Sequence, residues 1–192
     1  MRSAILILAF ISLAAGCDKG SLVTVEFETN LGNIVVAVDT VAAPITATNF
    51  LRYVDSGFYE GGSFFRVVRM DNQPADSIRI EVIQGGANPE MRDQFFEAIP
   101  LERTSSTGLK HIDGAISMAR GGPDTADHSI FFCIGDQPSL DFGGMRNPDG
   151  QGFAAFGQVL KGMDVVRSIQ QGMTEEQILL DAVLISSVKR VN

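Results

Sequence analysis

The chain has 192 residues, and its 15 Lys and Arg against 23 Asp and Glu give a formal net charge of −8. This length predicts one domain, or one domain preceded by a leader, and the acidic balance argues against a nucleic-acid binder, which needs a basic face for phosphates. The two cysteines exclude a scaffold stapled by several disulfides, whereas 45% hydrophobic residues, including 13 Phe, are enough for a packed core.

The N-terminus has the features of an export signal. Arg2 precedes an apolar run, Ser3–Ser12, which has the length of a signal-peptide core and is too short to span a bilayer. Small residues then lead to Cys17, and this order resembles the bacterial lipobox, in which the cysteine becomes the lipidated first residue. The alternative is an ordinary secretory signal cleaved near Ala15, with Cys17 incidental.

These features divide the chain into three parts. We predict a lipoprotein signal peptide over residues 1–16, a lipidated N-terminus with a short tether over 17–22, and a folded domain over 23–192. Several acyl chains give stable membrane anchoring, so we expect an exported protein on a bacterial membrane, facing the periplasm or the cell exterior. Asp18 resembles the signal that retains Gram-negative lipoproteins at the inner membrane.

The remaining sequence predicts strands with two helices. Apolar residues alternate in Leu22–Thr29 and Ile34–Asp39, and the turn cluster between them predicts a hairpin. Pro44–Ser56 has apolar residues at helical spacing and is followed by Gly57, which predicts an amphipathic helix. The other predicted elements are strands at Phe64–Arg69, Ile78–Ile83, Ala115–Ala119, Ile130–Ile134, Ala154–Val159 and Ala182–Val191, and a helix at Met163–Gln171.

The order of these elements predicts the fold class. About eight short strands, two helices and no regular alternation of strand and helix favour an all-β dominated domain, a closed barrel with helices over its ends. Two long turn-rich segments, Met70–Ser77 and Asp141–Gly152, are expected to form surface loops.

The motifs of common enzyme classes are absent from the sequence. It contains no G-x-S-x-G, H-E-x-x-H, C-x-x-C or Walker loop, so we expect no metal and no cofactor, and a hydrolase has no nucleophile–base pair to support it. His111 is interpreted as a surface or turn histidine. Cys133 lies in an apolar run and is interpreted as a buried, inert thiol.

Several segments together carry a family resemblance. In chain order they are Phe64–Val68, Val82–Gly86, Gly114–Arg120, Ser129–Ile134, Leu140–Asp141, Phe153–Val159 and Gly162–Val166. They resemble the cyclophilin-type peptidyl-prolyl cis-trans isomerases, and the resemblance covers nearly the whole chain after the leader. It implies an eight-stranded antiparallel closed barrel capped by two α-helices, in agreement with the fold class predicted from the pattern of elements.

The resemblance also implies roles for individual residues. Arg66 matches the catalytic arginine of the family, and Gln84 matches the glutamine that hydrogen-bonds the substrate backbone. Substrate-binding positions are implied for Phe65, Val82, Ala119, Arg120, Phe132, Leu140 and Phe153. Without the resemblance, an arginine in a predicted strand is more simply an outward-facing charge; the surrounding Phe-Phe-Arg-Val-Val, followed by Gln-Gly-Gly, favours the catalytic role.

The sequence departs from the family pattern at three positions. Ile130 stands where a glutamine is usual, and Glu81 stands where an apolar pocket residue is usual, in a segment between Val68 and Val82 that is longer than in compact members. Ser139 replaces an aromatic residue that favours cyclosporin in many members, so we expect weak cyclosporin binding.

The implied reaction explains why common catalytic motifs are missing. Rotation about an X–Pro bond crosses about 18–20 kcal/mol because the twisted amide loses its resonance, but no bond is broken. An apolar pocket for the proline ring and a fixed guanidinium that donates to the proline nitrogen can bind the twisted amide selectively. We therefore expect a prolyl isomerase acting on unfolded or exported chains.

The expected partners follow from this function. They are proline-containing polypeptide segments and, through the N-terminal lipid, a membrane; we expect no nucleic acid and a monomeric protein. The alternative function is a catalytically weak peptide-binding module that uses the same groove as a chaperone or assembly factor.

Overall fold

The structure, a computed structural model, describes residues 22–75 and 77–191. The predictions of a signal peptide over residues 1–16, of lipidation at Cys17 and of a retention signal at Asp18 lie outside the described residues. No helix in the described part of the chain has both the length and the apolar character needed to cross a membrane.

The described residues form nine strands and a few helices. The strands are β1 (Leu22–Thr29), β2 (Gly32–Asp39), β3 (Ser63–Val68), β4 (Val82–Gly86), β5 (Ala115–Met118), β6 (Ile130–Cys133), β7 (Ala154–Lys161), β8 (Thr174–Glu175) and β9 (Ile178–Arg190). The helices are α1 (Pro44–Asp55), the one-turn α2 (Thr104–Thr107), α3 (Met163–Gln170), and two 3₁₀ helices at Pro89–Gln94 and Pro138–Leu140.

Eight of the strands close into a barrel. They follow the order β1-β2-β7-β5-β6-β4-β3-β9, every pairing is antiparallel, and β9 pairs with β1 to close the sheet. The two-residue β8 pairs only with β9, as the first arm of a hairpin. The predicted eight-stranded antiparallel closed barrel is therefore confirmed, with α1 and α3 as its two longer helices.

Aromatic rings fill the barrel. Phe27 of β1 lies 5.8 Å from Phe132 of β6 and 6.3 Å from Phe64 of β3, measured between ring centroids. From α1, Phe50 stacks on Phe27 at 6.0 Å and contacts Phe156 of β7 at 5.2 Å. All five rings are fully buried, so the strands that build the outer surface of the barrel are held from inside by one aromatic core.

One predicted strand is shifted along the chain. The segment predicted over Ile78–Ile83 becomes strand only from Val82 onward. The buried Gln73 side chain hydrogen-bonds both backbone groups of Ile80. It donates to the carbonyl at 2.8 Å and accepts from the N–H at 3.1 Å. Because a side chain already satisfies this backbone, the residues before β4 do not pair in the sheet.

The close approach of neighbouring strands at Gly157 provides a test of the barrel. Gly157 of β7 lies between Val38 of β2 and Ile116 of β5, and a Cβ there would come within 2.2 Å of the Ala37 carbonyl oxygen. We expect Gly157→Ala to lower the free energy of unfolding by about 1–3 kcal/mol in urea denaturation. The control Gly122→Ala, where a Cβ meets nothing within 4 Å, should change it by less than about 0.5 kcal/mol; equal stability of the two variants would contradict the packing.

Candidate active site

A bulge in β3 directs Arg66 out of the barrel. Phe64 pairs with Gly85 and Arg66 pairs with Gln84, so Phe65 is an extra residue without its own partner on β4. Phe64 and Val67 on either side are fully buried in the core. A bulge re-aims the side chains beside it, and here it places Arg66 on the outer face, directly across from Gln84.

Two glutamines hold the Arg66 guanidinium. Its Nη1 donates to Gln84 Oε1 at 2.8 Å, while its Nη2 and Nε donate to Gln177 Oε1 at 2.5 and 3.1 Å. We call these three residues the arginine clamp. The sequence analysis missed Gln177, which lies in the turn between β8 and β9, 111 residues from Arg66 along the chain. No motif in the sequence marks it, because only the fold brings the two together.

The clamp is itself supported from both sides. Gln84 donates from Nε2 to Ser129 Oγ at 3.1 Å, and Gln177 donates from Nε2 to the Asn72 carbonyl at 3.1 Å. The Asn72 side chain in turn donates to the carbonyls of Val67 and Glu176, both at 3.1 Å. The segment Met70–Ser77, predicted only as a surface loop, thus supports the clamp from behind.

Beside the clamp lies a pocket of about 220 Å³. Val82, Phe131 and Leu140, all nearly buried, supply much of its apolar surface. The complete lining is Arg66, Ile80, Val82, Gln84, Arg120, Phe131, Leu140, Arg146, Asn147 and Phe153. Six residues named in the sequence analysis are therefore brought together, namely Arg66, Gln84, Val82, Arg120, Leu140 and Phe153.

Three of the lining residues are arginines. Burial, followed by repulsion from Arg146, lowers the pKa of Arg66, and burial lowers the pKa of Arg146. Arg120 differs because it is neutralised: its side chain is only 1% exposed and its Nη1 lies 2.8 Å from Asp149 Oδ2. This hydrogen bond from Arg120 lowers the pKa of Asp149, and the Arg120 guanidinium also lies 5.0 Å from the ring of Phe153.

The predicted position of Phe132 in the pocket is wrong. Its ring is fully buried inside the barrel, and the neighbouring Phe131 lines the pocket instead. Ile130, the first residue of β6, is likewise buried in the core. Ser129, just before β6, contacts Gln84 and therefore takes the polar position that the resemblance gave to residue 130. Side chains alternate between the two faces of a strand, and a shift of one residue exchanges inside for outside.

Two further predicted positions, Phe65 and Ala119, lie outside the lining of this pocket. Phe65 lines a neighbouring pocket of about 270 Å³, together with Phe95 and His128. Ala119 is half-buried against the cluster that includes Phe131, and its N–H donates to the Ser129 carbonyl at 2.8 Å.

Glu81 does not occupy the pocket wall that the sequence comparison assigned to it. Its Oε1 accepts from Gln170 of α3 at 3.4 Å, and Ile80 supplies the apolar wall. The departure at this position therefore leaves the pocket apolar on that side.

His111 is a buried residue, and its interpretation as a surface or turn histidine is wrong. Its Nδ1 lies 2.8 Å from Asp141 Oδ1, its Nε2 lies 2.9 Å from Ser117 Oγ, and its ring stacks on Phe131 at 5.8 Å. Burial raises the pKa of Asp141, but the hydrogen bonds from the His111 ring and N–H outweigh it and hold that pKa below its ordinary value. His111 thus packs behind the pocket ring of Phe131.

Comparison with known proteins identifies the family. The family model for "Cyclophilin type peptidyl-prolyl cis-trans isomerase/CLD" matches residues 24–190. The chain belongs to the cyclophilin family. This membership places it in the peptidyl-prolyl cis-trans isomerase class of enzymes.

Curated relatives of this cyclophilin carry the same class name. It is 37% identical to peptidyl-prolyl cis-trans isomerase A of Dickeya dadantii over 148 residues, which cover 77% of this chain and 70% of the relative. It is 31% identical to peptidyl-prolyl cis-trans isomerase B of Escherichia coli, covering 84% of this chain and 99% of the relative.

Solved structures agree on the fold. A crystal structure of a cyclophilin-type peptidyl-prolyl cis-trans isomerase of Cryptosporidium parvum superimposes with a TM-score of 0.67. The two chains are 19% identical, and the match covers 89% of this chain and 98% of the other. A second crystal structure of that protein, determined in the presence of the dipeptide Ala-Pro, gives a TM-score of 0.66.

The buried histidine of this cyclophilin provides a second test. Replacing His111 by Ala removes the ring hydrogen bonds to Asp141 and Ser117, leaves the buried Ser117 hydroxyl without its ring partner and opens an empty space, so we expect a loss of about 2–4 kcal/mol of unfolding free energy. Ser117→Ala removes one hydrogen bond only and should cost about 1 kcal/mol. Chemical denaturation at pH 7 measures both; a His111→Ala variant as stable as wild type would show that the ring does not hold this position.

Proposed function

We propose that this cyclophilin accelerates X–Pro rotation in unfolded or exported polypeptides, with Arg66 donating to the proline nitrogen of the twisted amide. The observation that carries the proposal is a guanidinium fixed by two glutamines at the edge of a pocket whose apolar wall includes Val82, Phe131 and Leu140. A pocket of about 220 Å³ is large enough for a proline ring with its flanking backbone groups.

The arginine clamp retains donors for a substrate. A guanidinium has five N–H groups, and three of them are used in the bonds to Gln84 and Gln177 within the described part of the chain. The remaining two are available beside the pocket. One N–H of the Gln84 amide donates to Ser129. The other N–H is left to donate to a substrate carbonyl.

The chemistry follows from the loss of amide resonance. In the planar amide the nitrogen lone pair is delocalised and accepts hydrogen bonds poorly; in the twisted state it is localised. A donor held at the nitrogen therefore binds the transition state more strongly than either ground state, and this difference is what lowers a barrier. Arginine suits the role because it stays charged and its donors form a rigid fork.

We also propose that Cys17 is the acylated first residue of an exported lipoprotein. The support is the apolar run of signal-peptide length, followed by small residues and then cysteine. From Cys17 to Leu22, where β1 begins, the chain reaches at most about 18 Å when extended. Such a tether would keep the folded domain close to the membrane surface, where exported chains emerge.

Replacement of the arginine tests the catalytic proposal. We expect Arg66→Ala to cut kcat/KM for an N-blocked Ala-Ala-Pro-Phe peptide at least about tenfold, because the donor to the proline nitrogen is lost. NMR exchange between cis and trans peptide measures the rate, and far-UV circular dichroism checks the fold. The control Arg79→Ala removes an exposed arginine outside the pocket and should leave turnover unchanged.

Two outcomes of this experiment would contradict the proposal. Unchanged turnover in Arg66→Ala would remove Arg66 from the mechanism. A wild-type protein that binds the peptide without accelerating exchange would instead identify the non-catalytic peptide-binding module.

Fractionation of cells tests the anchor. We expect Cys17→Ser to move the protein from the membrane fraction to the soluble fraction, because the thiol that carries the lipid is lost. Cys133→Ala is the matched control, since that thiol is buried in the folded domain, and it should remain with the membrane. Retention of Cys17→Ser in the membrane fraction would contradict lipidation at this residue.

A further inference from the structure

The pocket concentrates positive charge in an acidic protein. Its lining contains Arg66, Arg120 and Arg146 and no carboxylate, although the whole chain has a net charge of −8. Arg120 is paired with Asp149. In the described residues, Arg66 and Arg146 form no ion pair with any carboxylate: Arg66 is bonded to glutamine amides, and Arg146 to a backbone carbonyl.

Arg146 is held in place although it comes from a loop. Its Nη1 donates to the Ile78 carbonyl at 2.7 Å, and its backbone N–H donates to the Ser139 carbonyl at 3.1 Å. The loop is tight at this point, since a Cβ on Gly144 would come within 2.3 Å of that same Ser139 oxygen. Arg146 is half-buried, so an anion that meets it is only partly screened by water.

The anchoring contact fixes the side of the pocket on which Arg146 lies. Across the barrel the strands run β7-β5-β6-β4-β3. Arg120 and Phe153 follow β5 and precede β7 at one side, whereas Ile78, which holds Arg146, leads into β4 at the other. The family resemblance implies that Ala119 and Arg120 contact the residues before proline, which leaves the Arg146 side for the residue that follows the proline.

We propose that Arg146, acting with Arg66, binds a carboxylate on the C-terminal side of the substrate proline and so makes this cyclophilin select acidic substrates. This inference rests on the proposed function. The carboxylate has two possible sources with one chemistry: the side chain of an Asp or Glu that follows proline, or the terminal carboxylate of a chain ending in proline.

The energetic basis is that two guanidiniums line the same pocket and neither is paired with a carboxylate of residues 22–75 and 77–191. Repulsion from Arg146 contributes to the lowered pKa of Arg66, and a carboxylate between them would relieve this repulsion while accepting charge-assisted hydrogen bonds. The overall negative charge of the protein opposes long-range attraction of acidic peptides. A preference for them must therefore come from local contact in the pocket.

Four N-acetylated peptides separate the two sources. The pair Ala-Ala-Pro-Glu-amide and Ala-Ala-Pro-Gln-amide differs only in one side-chain charge, and the pair Ala-Ala-Pro acid and Ala-Ala-Pro-amide differs only in the terminal charge. Cis–trans exchange is measured by NMR at pH 7 and low salt. We expect wild-type kcat/KM to favour the charged member of at least one pair by about fivefold, and the responding pair identifies the source.

Substitution of the loop arginine assigns the preference. In Arg146→Gln, kcat/KM for the charged peptide divided by kcat/KM for its neutral partner should fall to near one. Arg146→Lys keeps a point charge but loses the planar pair of donors, so this ratio should be intermediate. The matched control Arg79→Gln removes an exposed arginine of the adjoining segment that does not line the pocket, and it should keep the wild-type ratio.

The possible failures are distinguishable. If the wild-type protein turns over all four peptides but has nearly equal kcat/KM for the charged and neutral member of each pair, this inference is overturned and the isomerase function stands. A fivefold ratio that persists in Arg146→Gln would overturn the role of Arg146. If wild type turns over none of the four peptides, the proposed function fails and this inference fails with it.

Discussion

A donor can favour a twisted amide over a planar one only if it stays in place while the substrate rotates around it. Under the proposed mechanism the arginine clamp is that donor, and it is fixed because it joins distant parts of the chain. The bulge in β3 turns Arg66 outward, Gln84 on β4 holds one edge of the guanidinium, and Gln177 beyond β8 holds another. The barrel matters to the site because its closed ladder of strands fixes where these three residues meet.

The loops around the clamp determine what the pocket can accept. The segment before β4 contributes Ile80 as an apolar wall and Asn72 as the support of Gln177. The segment between β6 and β7 contributes Arg146 and the Asp149 that neutralises Arg120. Loop residues therefore add to the shape and charge of the pocket, while the clamp is built on β3 and β4 and in the turn before β9. This separation allows selectivity to change while the reacting geometry is kept.

The same strands supply the core on one face and the pocket lining on the other, because side chains alternate. On β6, Ile130 and Phe132 face the aromatic core, whereas Phe131 faces outward to the pocket. Behind Phe131 lies His111, whose two ring nitrogens contact Asp141 and Ser117. The pocket ring is thus supported by hydrogen-bonded polar side chains, and within the described residues no buried side-chain nitrogen or oxygen lacks a hydrogen-bond partner.

The sequence alone determined the barrel and its two longer helices, because these follow from local alternation and helical spacing. The family resemblance singled out Arg66 and Gln84, but their contact is seen only in the structure. The sequence did not determine which of Phe131 and Phe132 faces the pocket, since two adjacent aromatic residues in a short strand fit either register. Gln177, the partners of His111 and the position of Arg146 were decided by tertiary structure only. Each depends on contacts between residues far apart in sequence, and such contacts exist only once the closed sheet has brought separate strands and loops to one surface.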